Sequence, residues 1–215
     1  MGALAVGRLT RLHHVDAVTL DAFGTLVGLR DPVPALDLAL RARGIERAPG
    51  EITAAFAEEA AHYVWRSHEG RDEESLARLR ANCAGVFLEA LGADLAGEEF
   101  APAYVAALEF EPLPGVPEAV DRLAAHGLAL AVVANWDMTL PDHLHALGLD
   151  RRLTAVVTSA EAGVAKPDPR IFGLALERLG VAPERSLHVG DSAADEEGAR
   201  AAGMRFAPAP LPDLV

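Results

Sequence analysis

The sequence predicts an α/β fold in which a doubly wound, mainly parallel, five-stranded Rossmann-like core carries an inserted all-helical segment. After residue 115, stretches of helical composition end in glycine and lead into short apolar runs, as is typical of helices that alternate with buried parallel strands. Residues 31–110 hold helix-like stretches and no convincing strand. The 215 residues, of which 51% are apolar, are enough to bury such a core.

The elements of the predicted core follow one another in a regular order. The five predicted strands are Ala17 to Leu20, Leu128 to Ala134, Ala155 to Thr158, Ser186 to Val189 and Met204 to Ala207. The predicted helices, each followed at once by a glycine, are Pro117 to His126, Pro141 to Leu147, Pro169 to Leu179 and Ala193 to Ala202. This alternation favours helices on both faces of one sheet.

The insertion divides the chain into two predicted domains, a core formed by residues 1–30 and 111–215 and a helical domain formed by residues 31–110. The helices of the insertion are expected at about residues 33–43, 51–67, 72–91 and 97–109. Pro112, Pro114 and Gly115 mark the return to the core, because proline and glycine punctuate element boundaries. The proline-rich end, Pro208 to Val215, is expected to be a disordered tail.

Composition excludes several classes of partner. A formal net charge of −13 argues against nucleic-acid and anionic membrane surfaces, which need clustered Lys and Arg. The single cysteine, Cys83, allows no internal disulfide and no zinc site of the usual spacing, which fits a reducing cytoplasm. No signal peptide is recognisable, and no apolar run approaches the roughly 18 residues of a membrane span, so we expect neither export nor membrane insertion.

Polar residues follow the predicted strands at the points where each strand ends. Asp21, Asn135, Ser159 and Asp191 each stand just past an apolar run. One aspartate in such a place is commonly a turn or capping residue. However, the carboxyl ends of parallel strands share one edge of the sheet, where ligands bind. Four placements of this kind therefore favour one shared crevice.

Four separated segments carry a resemblance to a known family. They are Asp21-Ala22-Phe23-Gly24-Thr25-Leu26, then Ala134-Asn135, then Lys166-Pro167-Asp168-Pro169, and finally Gly190-Asp191-Ser192-Ala193-Ala194-Asp195. In this order they resemble the motifs of the haloacid dehalogenase superfamily of aspartate-nucleophile hydrolases, in its capped phosphatase-like branch, over nearly the whole chain. The resemblance implies that Asp21 is the nucleophile and that Lys166 offsets the charge between carboxylate and phosphate. It also implies a substrate-binding set of Gly24, Thr25, Ala134, Asn135 and Lys166.

The same resemblance implies a magnesium site. Its ligands would be Asp21, the backbone carbonyl of Phe23, Asp191 and Asp195, which are the hard oxygen donors that Mg²⁺ prefers. The competing interpretation of Asp195 is that it stabilises the N-terminus of a helix through the helix dipole.

Two positions depart from the pattern of the phosphatases. Phe23 stands where they have an aspartate that protonates the leaving group, a contribution typically worth about 10² to 10⁴ in rate. Ala134 stands where they have a Ser or Thr hydroxyl, so we expect the backbone amides of Asn135 and Trp136 to bind the oxyanion instead. Asp137 is either a helix-capping residue or an acid in a shifted position.

The residues leave three functions open. The first is a magnesium-dependent phosphatase, weak without its acid, that acts on a small phosphorylated metabolite. The second is a 2-haloacid dehalogenase-like hydrolase, since an aromatic residue after Asp-Ala resembles that branch and halide leaves without a proton. Against it, a carboxylate at Asp191 without a cation would be costly beside Asp21. The third is a catalytically degenerate protein that binds a phosphorylated ligand or a partner. The oligomeric state stays open.

Substrate identity is expected to depend on the insertion, which by resemblance is a cap that closes over the site. Its richest polar and aromatic cluster consists of His62, Tyr63, Trp65, Arg66, His68 and Arg71. On a helix, Tyr63 and Trp65 face different sides, so at least one of them is expected to pack into a core.

Overall fold

The computed structural model describes residues 12–214; residues 1–11, which the sequence assigns to the core domain, and Val215 lie outside the described residues. The strands are β1 Ala17–Leu20, β2 Val27–Leu29, β3 Phe110–Pro112, β4 Ala129–Ala134, β5 Ala155–Thr158, β6 Ser186–Gly190 and β7 Arg205–Pro208. Five of them form one sheet in the order β5-β4-β1-β6-β7, and every neighbouring pair is parallel. The predicted fold class is confirmed.

The helices alternate with these strands as expected. They are α1 Val33–Arg41, α2 Pro49–Arg66, α3 Glu73–Ala90, α4 Gly97–Ala106, α5 Val116–Ala125, α6 Leu140–Ala146, α7 Ser159–Ala162, α8 Pro169–Leu179 and α9 Ala193–Ala201. None of the helices within residues 12–214 has the length and apolar character needed to cross a membrane.

A short antiparallel ribbon was not expected from the sequence. Strand β2 pairs with β3 in the register Val27 to Pro112 and Leu29 to Phe110, so the two ends of the insertion lie side by side. Part of β3 falls inside the segment that was expected to hold no strand. A three-residue run is too short to show an alternating pattern, which is why periodicity missed it.

Three groups of buried apolar residues form the core. Two of them pack against the sheet, where the β1 residues are fully buried. The other is formed by α1 to α4 and includes Leu36, Ile52, Phe87, Phe100 and Tyr104, with the Phe87 and Phe100 rings stacked at 5.9 Å. A separate core within the insertion supports the proposal that residues 31–110 form a cap domain.

The proline-rich end does not form the disordered tail that was expected over its described residues. Pro208 belongs to β7, and a turn of 3-10 helix covers Leu211–Asp213. Leu211 and Leu214 are buried in the core beside the sheet. These two leucines explain the order, because burial of apolar side chains offsets the entropy of fixing the segment.

Candidate active site

The strand-end residues meet at one edge of the sheet. Leu20 pairs with Val132 of β4 and with Val189 of β6, so the residues that follow these strands lie at the same level. Asp21 continues from β1 and donates its backbone N–H to the Val189 carbonyl at 2.9 Å. The parallel arrangement thus brings Asp21, Asn135 and Asp191 to one edge, whereas Ser159, the fourth residue expected there, is buried against the Trp136 backbone.

A buried lysine joins two carboxylates at this edge. The Lys166 Nζ atom lies 2.5 Å from Oδ1 of Asp21 and 2.5 Å from Oδ1 of Asp195. The exposed fractions of Asp21, Lys166 and Asp195 are only 6%, 4% and 1%. Burial alone would lower the pKa of Lys166, but the two carboxylates raise it above its ordinary value. Lys166 is therefore a fixed ammonium ion beside the predicted nucleophile.

The two carboxylates respond differently to this environment. Burial raises the pKa of Asp21, and the neighbouring Asp195 charge adds to that effect while Lys166 opposes it. For Asp195 burial acts in the same direction, but hydrogen bonds from His188 and Lys166 outweigh it and hold the pKa well below its usual range. Asp195 is therefore the carboxylate that stays charged most firmly.

Asp195 has donors on both of its oxygens. Oδ1 accepts from Lys166 and from His188 Nε2 at 3.0 Å, and Oδ2 accepts from the backbone N–H of Ser192 at 3.1 Å and from its hydroxyl at 2.5 Å. Ser192 in turn caps α9. Asp195 thus orients Lys166 and closes the N-terminus of α9 at the same time.

His188 belongs to this network, and the sequence analysis missed it. Its ring is fully buried and connects Asp195 to the Thr19 hydroxyl, whose oxygen lies 2.8 Å from Nδ1. A carboxylate only accepts, so Nε2 carries the proton and Nδ1 accepts from Thr19. Burial lowers the pKa of His188, which favours this neutral form. The only signal in the sequence was a polar ring within an apolar strand.

Three acidic side chains form a group that fits a divalent cation. Asp21, Asp191 and Asp195 each offer a carboxylate oxygen, and these oxygens lie within 4.8 Å of one another. Asp191 is exposed at the opening of the crevice, and its pKa is raised by partial burial and by the Asp195 charge. Clustered carboxylate oxygens are the donor set that Mg²⁺ takes.

Two glycines allow these carboxylates to come close to the backbone. Gly24 has φ +81°, and a Cβ atom there would collide with the Asp191 carboxylate. A Cβ atom at Gly190 would collide with the carboxyl group of Asp195. Neighbouring Thr25 is buried, and its hydroxyl has no hydrogen-bond partner within residues 12–214.

The end of β4 differs from expectation in one respect. The backbone N–H of Trp136, expected to bind an oxyanion, donates to the Ser159 hydroxyl at 3.0 Å, and that hydroxyl donates to the Trp136 carbonyl at 2.9 Å. The expectation for Trp136 is wrong because Ser159, at the end of β5, already uses this amide. Ala134 is buried and has no hydroxyl to replace it.

Hydrogen bonds connect the helical insertion to the core beside this edge. The Tyr63 hydroxyl donates to Asp137 Oδ2 at 2.9 Å, and Asp137 Oδ1 accepts from the backbone and the hydroxyl of Thr139. Ser67 and Ser159 share a hydrogen bond at 2.8 Å. Asp137 thus forms a turn with Thr139, and because Thr139 is the N-cap residue of α6, Asp137 is not itself the helix cap that was one of its two interpretations. Tyr63 faces inward, whereas Trp65 is 69% exposed, so the two do face different sides.

A cavity of about 220 Å³ lies between the insertion and the strand ends. Most of its wall is apolar or aromatic, and Phe23, which is 51% exposed, is part of it. The carboxyl groups that line it are Glu59 and Asp137. Glu59 is 4% exposed, it accepts a 2.5 Å hydrogen bond from the Tyr104 hydroxyl, and burial raises its pKa.

The comparison of the sequence with known protein families agrees with the geometry of this site. The sequence profile of the haloacid dehalogenase-like hydrolase family matches residues 15–203. The haloacid dehalogenase-like hydrolase domain-containing protein 3 of Mus musculus is 44% identical over 96 residues, which are 44% of this chain and 38% of that protein. A phosphoserine phosphatase of Thermus thermophilus is 42% identical over 129 residues, which are 56% of this chain and 51% of the other. The chain therefore spans between a third and about half of these two relatives.

The fold comparison extends over more of the chain. The L-2-haloacid dehalogenase of Xanthobacter autotrophicus superimposes with a TM-score of 0.68 at 29% sequence identity, and the match covers 90% of this chain and 77% of that one. Similarity thus reaches both a phosphatase and a dehalogenase. Similarity alone therefore does not distinguish phosphate hydrolysis from dehalogenation, and the distinction depends on the residues of the site.

Proposed function

The chain belongs to the haloacid dehalogenase-like hydrolase family, and we propose that it is a magnesium-dependent phosphatase that hydrolyses a small phosphorylated metabolite through an aspartyl-phosphate intermediate. The observation that carries this proposal is the buried Lys166 ammonium, 2.5 Å from Asp21 and from Asp195, with Asp191 at the same opening. The similarity to a phosphoserine phosphatase supports it.

The proposed reaction begins at Asp21. Lys166 holds Oδ1 of Asp21, and we assign the attack on phosphorus to the other oxygen, Oδ2. As the new P–O bond forms, the bond to the leaving oxygen breaks and its electron pair stays on that oxygen. Water then attacks the phosphoryl group, which releases inorganic phosphate and restores the Asp21 carboxylate. Throughout, the Lys166 cation reduces the repulsion between carboxylate and phosphoryl oxygens.

Magnesium fits the same residues. Asp21, Asp191 and the Phe23 carbonyl are the ligands we propose, and Asp195 completes the acidic group that attracts the ion. When bound, the ion would supply positive charge that counters the phosphoryl oxygens. Because its oxygens already accept from Lys166, His188 and Ser192, Asp195 has its main role in holding Lys166.

Phosphate release from p-nitrophenyl phosphate tests the proposal. We expect release that requires magnesium, that is lost in Asp21→Asn and that persists in Asp150→Asn. Asp150 is a suitable control because it lies in a surface turn paired with His145. Release that continues in Asp21→Asn would exclude Asp21 as the nucleophile.

Dehalogenation is a second candidate, favoured by one observation. The aromatic Phe23 suits a leaving group that needs no proton, and the superimposed Xanthobacter enzyme is an L-2-haloacid dehalogenase. Against it, Asp191 adds a third carboxylate to a site with a single lysine. Chloride release from 2-chloropropionate without magnesium would support this candidate. If neither phosphate nor chloride is released, but calorimetry still detects magnesium binding, the result would support a protein that binds a phosphorylated ligand without turnover.

A further inference from the structure

We infer that the substrates are phosphate monoesters of aromatic hydroxyl groups, and that phosphate esters of alkyl alcohols are poor substrates. This inference rests on the proposed phosphatase function and names the substrate class of that site. Two features of the chain carry it: the hydrocarbon side chain of Phe23 beside the proposed nucleophile and the aromatic lining of the adjacent cavity.

The first feature is the hydrocarbon side chain of Phe23, two residues after the proposed nucleophile. It is half exposed in the cavity where the leaving group would lie, and it has no proton to give. An alkyl alcohol is about as weak an acid as water, with a pKa of about 15.7, whereas a phenol has a pKa of about 10. A phenolate can therefore leave with the electron pair of the broken P–O bond and take a proton from water later. An alkoxide needs the proton as the bond breaks.

The two carboxyl groups of the cavity are already engaged. Asp137 accepts from Thr139 on one oxygen and from Tyr63 on the other, so it is held as an acceptor. Glu59 accepts from the Tyr104 hydroxyl within the helical insertion. Both carboxyl groups are thus oriented by hydrogen bonds to other side chains of the protein.

The second feature is the size and lining of the cavity. Its volume of about 220 Å³ exceeds the roughly 150 Å³ of an apolar cavity that accepts benzene. Aromatic side chains surround it, with the rings of Phe110 and Trp136 centred 4.9 Å apart. Rings in such walls pack favourably, offset or edge to face, against another ring. The aromatic members of the lining are Phe23, Phe56, Tyr63, Tyr104, Phe110, Trp136 and His143.

The kinetic test is a series of phosphate esters whose leaving groups differ in pKa. With the magnesium-loaded protein, we expect kcat/KM to fall steeply as the leaving-group pKa rises, and alkyl phosphates to react at least about 100-fold more slowly than phenyl phosphate. Phe23→Asp should raise alkyl phosphate hydrolysis about 10²- to 10⁴-fold and flatten the dependence. Phe23→Asn, which has the shape of Asp without its proton, should leave the dependence steep.

Several outcomes would overturn the inference. Equal rates for phenyl and alkyl phosphates in the wild type would show that a proton donor is present. Loss of alkyl phosphate hydrolysis in Glu59→Gln would identify that donor. If inorganic phosphate is released from no ester, by the wild type or by Phe23→Asp, the proposed function fails and the inference fails with it.

A binding measurement tests the cavity without turnover. Phenylphosphonate and ethylphosphonate carry the same anionic group and resist hydrolysis. Calorimetry in the presence of magnesium should show phenylphosphonate binding about tenfold more tightly or better, because its ring is buried against apolar walls. Equal affinities would show that the cavity does not hold the aromatic group, and they would overturn the inference.

Discussion

Asn135 holds the backbone of Lys166 from both sides. Its Oδ1 accepts the Lys166 N–H at 2.7 Å, and its Nδ2 donates to the Lys166 carbonyl at 3.2 Å. The residue was predicted to bind substrate through its backbone, and the side chain has this additional role. The Lys166 side chain is buried, and its ammonium group contacts Asp21. Fixing the Lys166 backbone therefore also fixes the position of this ammonium group.

Replacing Asn135 with alanine should lower kcat by about 10- to 100-fold, since displacement of a catalytic group by about 1 Å has effects of this size. The loss of two hydrogen bonds should also reduce the free energy of unfolding by about 1 to 3 kcal/mol. Asn82→Ala is the matched control, because Asn82 is exposed and its side chain hydrogen-bonds to His62, away from the strand ends. Equal kcat values for the two variants would contradict the role of Asn135.

Lys166→Met should make the stability of the protein fall more, relative to wild type, as pH rises. At neutral pH, removal of one partner from buried charges typically costs about 3 to 5 kcal/mol. Without the cation, the pKa of Asp21, which burial already raises, should rise further, and the lowered pKa of Asp195 should move upward, because Lys166 no longer favours either charged form. The folded variant then binds extra protons, so its stability falls as pH rises from about 4 through the raised values. Chemical unfolding at pH 5 and 7 measures this.

The control for Lys166→Met is Arg152→Met, which removes an exposed ion pair with Asp121 and should change stability little at either pH. In the wild type, Asp195 has a lowered pKa, so its contribution is present above the unfolded value and is lost as pH falls. A Lys166→Met variant that is more stable at pH 7 than at pH 5, relative to wild type, would contradict the burial of these carboxylates.

Gly24→Ala should cost more stability than Gly44→Ala. Both glycines have a positive φ, +81° and +74°, where an alanine costs about 1 to 2 kcal/mol. At Gly44 nothing lies within 4 Å of an added Cβ atom, whereas at Gly24 the Asp191 carboxylate occupies that space. The excess cost should disappear in an Asp191→Ala background, which a double-mutant cycle of unfolding free energies would show. If Gly24→Ala still costs more stability than Gly44→Ala in the Asp191→Ala background, contact with the Asp191 carboxylate is not the cause of the difference.

Local patterns sufficed to predict the sheet. Glycine after each helix and apolar runs such as Ser186 to Val189 are signals within a few residues, and the structure confirms a parallel five-stranded sheet. The approach of Asp21 and Asp191 was also expected, because strand ends in a parallel sheet share one edge, whereas the places of Lys166 and Asp195 beside them were implied by the family resemblance. Their roles as nucleophile, cation and metal ligands stay predictions.

Side-chain pairings between distant positions could not be predicted in this way. Thr19 and His188 are 169 residues apart, and Asn135 and Lys166 are 31 apart. Which hydroxyl or amide meets which partner depends on register and on side-chain direction, and neither is visible in a single sequence. The use of the Trp136 amide by Ser159 belongs to the same class, because it joins the ends of two neighbouring strands.

Glu59→Gln should remove a pH dependence of stability that arises from the burial of this carboxyl group. Burial raises the pKa of Glu59 above that of the unfolded chain, so the folded state binds the extra proton. Its contribution is therefore most favourable below about pH 4.3 and declines as pH rises through the folded value. The unfolding free energy of Glu59→Gln, relative to wild type, should increase between pH 4 and 8. Glu58→Gln, on the exposed side of the same helix, is the control for replacing a glutamate in this helix, and a flat difference for Glu59→Gln would contradict the burial of the Glu59 carboxyl group.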